Sequence, residues 1–237
     1  VCVADTQGAI GYLLQQNILK DFRRLGIEKS VATVVTQVEV ATDDFAFTTP
    51  TKPIGSFLTE AEALNRRERE GWDVVEDADR GWRRVVASPA PVRIVEIDVI
   101  RHLLDGGFVV IAAGGGGIPV VADAAGDLTG VPAVIDKDHA SALLANDIGA
   151  ELLLISTSIE QVALDFGTPD QRFVGELSLA DAKRYLAEGR HFKAGSMKPK
   201  IAAVIDFLEG GGRRAIITTP KNIESALAGD AGTHIVP

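Results

Sequence analysis

Apolar strand-like runs alternate with helix-like segments along most of this chain. From Thr6 to Leu25 the apolar residues recur at helical spacing and Gly26 follows them, which predicts an amphipathic helix. The run at 30–40 is rich in valine and threonine and predicts one buried strand. Strands separated by helices of this length indicate an α/β fold around a mostly parallel sheet that is covered on both faces.

The alternation returns after residue 95. The later segments predict strands at 108–113, 151–156, 161–166, 215–219 and 233–237, and helices at about 95–105, from about 137, at 178–188, at 199–209 and from about 221. Residues 41–94 differ, because they hold four prolines, both tryptophans and a dense charged segment. They predict an inserted subdomain, in which Thr59 and Glu62 form a capping box at the start of a helix.

Charge limits the ligands that a chain of 237 residues with this composition can bind. Lys and Arg number 24 and Asp and Glu 33, which gives a formal net charge of −9. Such a surface repels a phosphate backbone, so nucleic acid is not predicted as a partner. An anionic ligand must be held by local lysines and backbone amides.

Several other kinds of site are disfavoured by residue type. The single cysteine, Cys2, excludes an intramolecular disulfide and a site of several thiolates, and it fits a reducing cytoplasm. The four histidines show no metal-ligand spacing, so no protein-ligated metal is predicted. No apolar run is long enough for a membrane span, and no membrane partner is predicted. The first residues lack both an initiator methionine and a signal-peptide layout, so we expect the chain to begin within the fold.

A run of glycines follows the predicted strand at 108–113. Gly114, Gly115, Gly116 and Gly117 expose backbone amides that an anion can approach closely. No Gly-Lys-Ser/Thr follows, so this is not a Walker loop. The alternative is a tight crossing of two strands without any ligand.

Three lysines stand where a phosphate could meet them. Lys137 and Asp138 lie between a strand and a helix, although Asp138 could simply cap that helix beside a solvated lysine. Lys200 follows Pro199 in the first turn of a helix, where a cation opposes the helix dipole unless an anion lies nearby. Lys52 is flanked by two prolines on a stiff loop, and the alternative there is a solvated side chain.

Seven segments in one order give the chain a close resemblance to a known family. They are TQGAIGY at 6–12, VATVVTQVEV at 31–40, PTKPIG at 50–55, DRGWRRVVASPAP at 79–91, GGGGIPVV at 114–121, AVIDKDHAS at 133–141 and GSMKPKI at 195–201. Together they resemble the carbamate kinases of the amino acid kinase family. The resemblance implies an αβα sandwich around a largely parallel sheet, a small protruding subdomain and a homodimer. It also implies reversible phosphoryl transfer between MgATP and carbamate, which gives ADP and carbamoyl phosphate.

The same resemblance implies roles for the lysines. Lys137 and Lys200 would neutralise the transferring phosphate, Asp138 would hold both lysines, and Lys52 would reach the site from the protruding loop. Such positioned cations suit phosphoryl transfer, which asks for little covalent chemistry from the protein. The glycine run would contact the phosphates.

Nucleotide-binding positions and lobe boundaries follow from the resemblance as well. The nucleotide positions are Ser156, Thr157, Ser196, Met197 and Lys200. The expected organisation is the remainder of an N-terminal, carbamate-side lobe at 1–36, a lid at 37–94, the same lobe continued at 95–123, and a nucleotide-binding lobe at 124–237.

Two features depart from the family pattern. The family's Gly-Gly-Asn-Ala and His-Gly-Asn-Gly-Pro-Gln loops, which contribute phosphate contacts and most of the carbamate pocket, do not occur in this sequence. Residues 156–160 read STSIE where a Thr-Gly/Asp-Val-Asp pattern is usual, which predicts altered adenosine binding. Two alternatives therefore stay open: a kinase of another small carboxylate, and a nucleotide-binding dimer without turnover.

Overall fold

The computed structural model describes residues 1–77, 80–193 and 195–237. Asp79, which opens the motif DRGWRRVVASPAP, lies outside the described residues. The chain divides into two compact units. Unit 1 comprises Val1–Glu96 and Gly107–Asp136, and unit 2 comprises Ile97–Gly106 and Lys137–Pro237.

Unit 1 begins with the predicted amphipathic helix. Helix α1 spans Cys2–Leu25 and ends at Gly26, whose φ of 68° is in the left-handed region that glycine adopts without strain. Only Gln7 and Gly11 of this helix are buried. A β-carbon at Gly11 would lie 2.2 Å from the Thr33 side chain, so the glycine allows the helix to pack directly on the following strand.

The prediction of one continuous strand at 30–40 is wrong, because the segment is interrupted. Two strands occupy this segment, β1 at Val31–Thr33 and β2 at Gln37–Val40. The Gln7 amide explains the break, because it accepts a hydrogen bond from the Thr36 N–H at 2.7 Å and donates to the Thr36 carbonyl at 3.1 Å. A side chain thus satisfies the Thr36 N–H at the break, whereas the Thr36 carbonyl also accepts from the Ile118 N–H at 2.9 Å.

The two strands join different sheets of unit 1. Strand β1 pairs in parallel with β7, and β2 pairs in parallel with β8 inside a four-stranded sheet of order β6-β2-β8-β9. The bounds of the added strands are β6 at Pro91–Ile94, β7 at Val109–Ile111, β8 at Ile118–Ala122 and β9 at Leu128–Gly130.

A separate antiparallel sheet of order β3-β5-β4 lies within the predicted lid. Its elements are β3 at Lys52–Leu58, α2 at Glu60–Glu70, β4 at Asp73–Glu76 and β5 at Trp82–Val86. The capping box is confirmed, since the Thr59 hydroxyl accepts from the Glu62 N–H and the Glu62 carboxylate accepts from the Thr59 N–H. The ends of the predicted lid, β2 and β6, belong to the four-stranded sheet, so the separate sheet is shorter than 37–94.

Unit 2 contains five helices and six strands within its described residues. They are α3 at Ile97–Asp105, α4 at Lys137–Asp147, β10 at Leu152–Ser156, β11 at Val162–Leu164, β12 at Arg172–Val174, β13 at Glu176–Ser178, α5 at Leu179–Glu188, α6 at Met197–Glu209, β14 at Arg214–Thr218, α7 at Ile223–Ala228 and β15 at Thr233–Val236. The main sheet has the order β10-β14-β15-β13, with β10 and β14 parallel. Strands β11 and β12 form an antiparallel pair.

The core of unit 2 lies between this sheet and its helices. Helix α6 places Val204 and Phe207 in that core at 0% exposure, and β14 and β15 contribute the fully buried Ile217 and Ile235. This apolar stripe, predicted from the spacing of Ile201, Val204, Ile205 and Leu208, holds the start of α6 in place. Among the described residues, no helix combines the length and the apolar character that crossing a bilayer requires.

The two units differ from the expected lobes at two segments. Residues 97–106 belong to unit 2 and residues 107–136 to unit 1. The sequence expectation placed 95–123 in the N-terminal lobe and 124–136 in the nucleotide-binding lobe. The functional assignment of the lobes stays a prediction.

Candidate active site

Asp138 and two lysines form a charged cluster in unit 2. Asp138 lies in the first turn of α4, with 6% of its side chain exposed. Its Oδ2 atom accepts a hydrogen bond from Lys200 Nζ at 2.8 Å and lies 3.4 Å from Lys137 Nζ. Two ammonium groups therefore share one carboxylate oxygen, which leaves a surplus of positive charge in the cluster.

Lys200 is the buried cation of this cluster. It lies near the start of α6 and only 11% of its side chain is exposed. A cation near a helix N-terminus is unfavourable by about 0.3–1 kcal/mol, and the Asp138 carboxylate compensates for it. Neighbouring Ile201 is fully buried, which fixes the backbone from which Lys200 extends.

Lys137 differs from Lys200 in its exposure. It is the first residue of α4 and 62% of its side chain is exposed, so its ammonium group can move. The negative charge of Asp138, in the first turn of α4, also interacts favourably with the helix dipole. Asp138 thus combines a favourable position in the helix dipole with ion pairs to two lysines.

Lys52 lies in unit 1, at the first position of β3. Its ammonium group forms an ion pair with the Asp136 carboxylate. The side chains are 29% and 16% exposed respectively, so this pair is only partly open to solvent. Lys52 is therefore not the freely solvated side chain of the alternative interpretation.

The glycine run forms a tight turn in unit 1. Residues Gly114–Gly116 make one 3-10 turn, and Gly115, Gly116 and Gly117 have φ values of 68°, 100° and 89°. The N–H groups of Gly116 and Gly117 donate to the carbonyls of Ala113 and Gly114 at 3.0 and 3.2 Å. These two amides serve the turn itself.

Close packing explains part of this glycine requirement. A β-carbon at Gly117 would lie 2.2 Å from the Val38 side chain, and one at Gly114 would lie 3.1 Å from Gln7. Gly115, by contrast, has no neighbouring atom within 4 Å of that position. The tight crossing is thus present, and Gly115 is the glycine whose surroundings are open.

The predicted nucleotide-binding residues lie at the end of strand β10 and at the start of helix α6 in unit 2. Ser156 is the last residue of β10 and is exposed, and the Thr157 N–H donates to the Thr218 carbonyl at 2.8 Å. The carboxyl ends of parallel strands such as β10 and β14 are where ligands bind in open α/β sheets. Ser196 and Met197 begin α6, and the Ser196 side chain makes no capping hydrogen bond.

A second charged cluster, which sequence reasoning missed, surrounds His191. This ring is 2% exposed, with Nε2 lying 2.8 Å from Glu188 and Nδ1 lying 3.1 Å from Asp165. Arg190 also contacts both carboxylates at 3.0 Å. The hydrogen bond from His191, followed by that from Arg190, lowers the pKa of the Glu188 carboxyl below its usual value.

Two further residues near the predicted site were not singled out from the sequence. Asp136, the partner of Lys52, lies in the segment AVIDKDHAS. The sequence feature that could have identified it is that carboxylates flank Lys137 on both sides. Gln7, whose amide also donates to the Gly114 carbonyl at 3.1 Å, stands in TQGAIGY. Over 1–77, 80–193 and 195–237, no three His, Cys, Asp or Glu side chains are grouped so as to hold a metal ion.

Comparison with known proteins identifies the family. The model of the amino acid kinase family matches residues 26–219. A carbamate kinase-like protein of Escherichia coli, YahI, is 53% identical over 236 residues, which cover 99% of this chain and 74% of that protein. A carbamate kinase of Thermococcus kodakarensis is 47% identical over 236 residues, covering 100% of this chain and 74% of that protein.

A solved structure supports the same relationship. The carbamate kinase of Giardia lamblia bound to AMP-PNP is 41% identical and superimposes with a TM-score of 0.88, covering 99% of this chain and 74% of that one. The predicted amino acid kinase fold is thereby confirmed. The chain therefore belongs to the amino acid kinase family, in which it groups with the carbamate kinases.

Proposed function

We propose that the protein is a carbamate kinase, which transfers a phosphoryl group reversibly between MgATP and carbamate to give ADP and carbamoyl phosphate. The observation that carries the proposal is the sharing of Asp138 by Lys137 and the buried Lys200. Carbamate kinases at 45–49% identity over nearly the whole chain support the same activity.

In the proposed reaction a carbamate oxygen attacks the γ-phosphorus of ATP, and the bond to the leaving oxygen of ADP breaks. Negative charge spreads over the oxygens of the transferring group, and positioned cations stabilise it. Lys200, held by Asp138, supplies a fixed cation whose orientation needs no change during the reaction. The exposed Lys137 supplies a second, mobile cation that follows the phosphate.

Lys52 is proposed to act on the same phosphate. The support is that a partly buried carboxylate, Asp136, binds its ammonium group within unit 1, as Asp138 binds Lys200 within unit 2. In the glycine run we assign phosphate contact first to Gly115, since the amides of Gly116 and Gly117 donate within the turn.

The nucleotide is proposed to bind unit 2 at the carboxyl end of β10 and the start of α6. Ser156 and Thr157 would contact one part of the nucleotide, and Ser196, Met197 and Lys200 another. An AMP-PNP complex of the Giardia lamblia relative supports a nucleotide as a substrate. Mg²⁺ would enter with ATP, bound mainly through the phosphates, which suits its preference for phosphate and water ligands.

We also propose that the protein is a homodimer located in the cytoplasm. Helix α1 leaves apolar residues 47–62% exposed, namely Ile10, Tyr12, Leu13 and Leu14, and a second copy would cover them. Sedimentation analysis tests this, with a mass twice that of one chain expected. The single cysteine favours the reducing compartment.

The decisive experiment measures ATP formation from ADP, Mg²⁺ and carbamoyl phosphate, coupled to hexokinase and glucose-6-phosphate dehydrogenase. It is run on this chain and on the product of the full reading frame that contains it. The proposal expects ATP formation that depends on carbamoyl phosphate. Nucleotide binding without turnover in both proteins would contradict it and favour a nucleotide-binding dimer.

A second candidate concerns the acceptor. Two relatives, at 53% and 50% identity, are named carbamate kinase-like rather than carbamate kinase. A kinase of another small carboxylate would keep the lysine cluster and change the acceptor pocket. Replacing carbamoyl phosphate by acetyl phosphate in the same assay distinguishes the two, since the carbamate kinase proposal expects the higher rate with carbamoyl phosphate.

A further inference from the structure

We propose that Asp136 positions the Lys52 ammonium group for phosphoryl transfer, an inference that rests on the proposed function. Asp136 is thereby a positioning residue, because it acts on the reaction through Lys52. Three observations within unit 1 carry the inference: the ion pair itself, the backbone contacts that hold both partners, and the fraction of each side chain that stays exposed.

The ion pair joins two distant parts of the chain. Lys52 and Asp136 are separated by 84 residues, whereas the exposed pair Arg66–Glu70 joins residues one helical turn apart. Exposed pairs on one helix contribute little, about 0.3–0.5 kcal/mol. The Asp136 side chain is 16% exposed, and a carboxylate buried to this degree needs a partner for its charge.

Backbone contacts fix both partners independently of the ion pair. Lys52 in β3 lies opposite Val86 of β5, and the residue after Val86, Ala87, accepts a hydrogen bond from the Val134 N–H at 2.9 Å. Ile135, next to Asp136, is 1% exposed and anchors that segment in an apolar environment. The Asp136 carboxylate is therefore held near the start of β3 by the fold, ready to orient a flexible lysine.

The remaining exposure leaves Lys52 able to bind a phosphate. An ammonium group has three hydrogen-bond donors, and the Asp136 Oδ2 atom occupies one. The Lys52 side chain is 29% exposed, so its other donors can reach a ligand. Without Asp136 the four-carbon side chain samples many rotamers, and misplacement of a group by about 1 Å can cost roughly 100-fold in rate.

The segment Asp136-Lys137-Asp138 then has two related functions. Its first carboxylate orients Lys52 and its second binds Lys200 and Lys137. Two carboxylates of one short segment thus each bind a lysine to which we assign a part in phosphoryl transfer.

The test is a double-mutant cycle on kcat with Asp136→Asn, Lys52→Met and both together. The proposal expects Asp136→Asn to lower kcat roughly 10- to 100-fold with the KM for ADP within about twofold, and to have no further effect in the Lys52→Met background. Asp136→Glu, which keeps the charge, should recover part of the rate. Glu39→Gln is the matched control, since it breaks the Glu39–Arg93 ion pair of the same unit and should leave kcat unchanged.

A purely structural role predicts a different pattern. Asp136→Asn would then lower the melting temperature and reduce kcat equally in both backgrounds, and that result would overturn the proposal. If Asp136→Asn does not fold, the cycle is completed with Asp136→Glu, and equal effects in the two backgrounds would again contradict the positioning role.

Binding measurements separate this inference from the proposed activity. The affinity ratio of AMP-PNP to AMP, measured by calorimetry, reports on phosphate contacts without turnover. We expect Asp136→Asn and Lys52→Met to lower that ratio by similar factors and non-additively. If the wild-type protein forms no ATP but shows this binding pattern, the carbamate kinase activity is contradicted and the positioning role of Asp136 is not. If the affinity ratio is unchanged in Asp136→Asn, the positioning role is contradicted.

Discussion

Lys200 shows how a single residue combines an unfavourable location with a compensating partner. Its side chain is 11% exposed, lies in the first turns of α6, and donates to Asp138 at 2.8 Å. Neither burial nor the helix dipole favours a cation there, so the Asp138 carboxylate and any anion that approaches compensate for this location. This dependence makes the residue a direct test of the proposed chemistry.

Replacing Lys200 by Ala is expected to reduce phosphoryl transfer at least about 100-fold. One positioned group in a site that excludes water contributes about 3 kcal/mol to the transition state. The measurement is kcat in the coupled assay, with circular dichroism to verify folding. Lys198→Ala is the control, because Lys198 lies on the same helix but is exposed. A rate within a few-fold of wild type for Lys200→Ala would exclude a catalytic role for this lysine.

Asp138→Asn tests whether Asp138 serves only the start of α4 or also holds the two lysines. Asn keeps an oxygen acceptor in the first turn but cannot balance the two lysines, and a hydrogen bond to a charged group contributes about 1.5–3 kcal/mol. We expect kcat to fall roughly 10- to 100-fold and the melting temperature to drop. A lower melting temperature with full activity would mean that Asp138 serves the helix only.

The residues of the candidate site were predictable to different degrees. Lys200 was predicted from its residue type beside a helix start, whereas Lys137 and Asp138 were predicted with a solvated lysine and a helix cap as the alternative. The Lys52–Asp136 pair was not predictable, since its partners lie 84 residues apart and no local pattern connects them. Gln7 was missed for the same reason, as its partners Thr36 and Gly114 are remote in sequence.

At the scale of elements, the sheet β3-β5-β4 has few buried residues. Strands β3 and β4 contain no fully buried residue, β5 contains only Val85, and α2 contains only Ala63. Elements with so few buried residues are held mainly by backbone hydrogen bonds near solvent. Such hydrogen bonds open most easily. The sheet is therefore the part of unit 1 that we expect to be most dynamic.

Hydrogen exchange should show the amides of β3, β4 and β5 exchanging well before those of β14. Four of the five residues of β14 are buried, which makes it a suitable reference in the same experiment. Mass spectrometry of the nucleotide-free protein after seconds to hours of exchange gives the measurement. Equal protection of the two regions would contradict the expectation of a mobile lid.

The stability of the C-terminal end of α5, which contains Glu188, should respond to acid. The pKa of Glu188 is lowered in the folded protein, chiefly by His191, so its contribution to stability is complete above the unfolded pKa of about 4.5. That contribution is lost as the pH falls through the folded value. Glu188→Gln should lower the melting temperature at pH 7, and the difference from wild type should shrink below pH 4. A difference that does not depend on pH would contradict this linkage.

Element boundaries show what periodicity can and cannot predict. Helices α5 and α6 begin within two residues of their expected starts, because their apolar stripes are regular. The run at 30–40 has a uniform composition that gives no sign of its break at residues 34–36. That break depends on the Gln7 side chain, a tertiary contact that strand propensity does not contain.

At the scale of the whole molecule, a net charge of −9 opposes the binding of ATP. The diffuse surface charge is screened beyond about 8 Å at physiological salt, whereas charges about 4 Å apart interact by roughly 4 kcal/mol at an effective dielectric of 20. Local lysines therefore outweigh the total charge.

ATP binding should weaken only moderately with salt, by roughly two- to fivefold between 50 and 300 mM NaCl, because partly buried pairs are screened less than exposed ones. Calorimetric titration at several salt concentrations measures the slope, and Lys200→Ala should weaken binding at every salt concentration while changing the slope little. Much steeper weakening would indicate that exposed charges, and not the buried Lys200, hold the nucleotide.

Unit 2 consists of two separate stretches of the chain, 97–106 and 137–237. This arrangement has a consequence for synthesis of the protein. Helix α3 carries Ile100, which is 1% exposed, and Arg101, which donates to the Asp147 carbonyl at 3.0 Å. On the ribosome α3 is complete roughly forty residues before Asp147 is added, a delay of about 2–8 s at ordinary rates of synthesis. During that time Arg101 lacks its acceptor carbonyl, and α3 lacks residues 137–237, with which it forms unit 2. We therefore expect α3 to be available to chaperones in nascent chains until α4 has been synthesised.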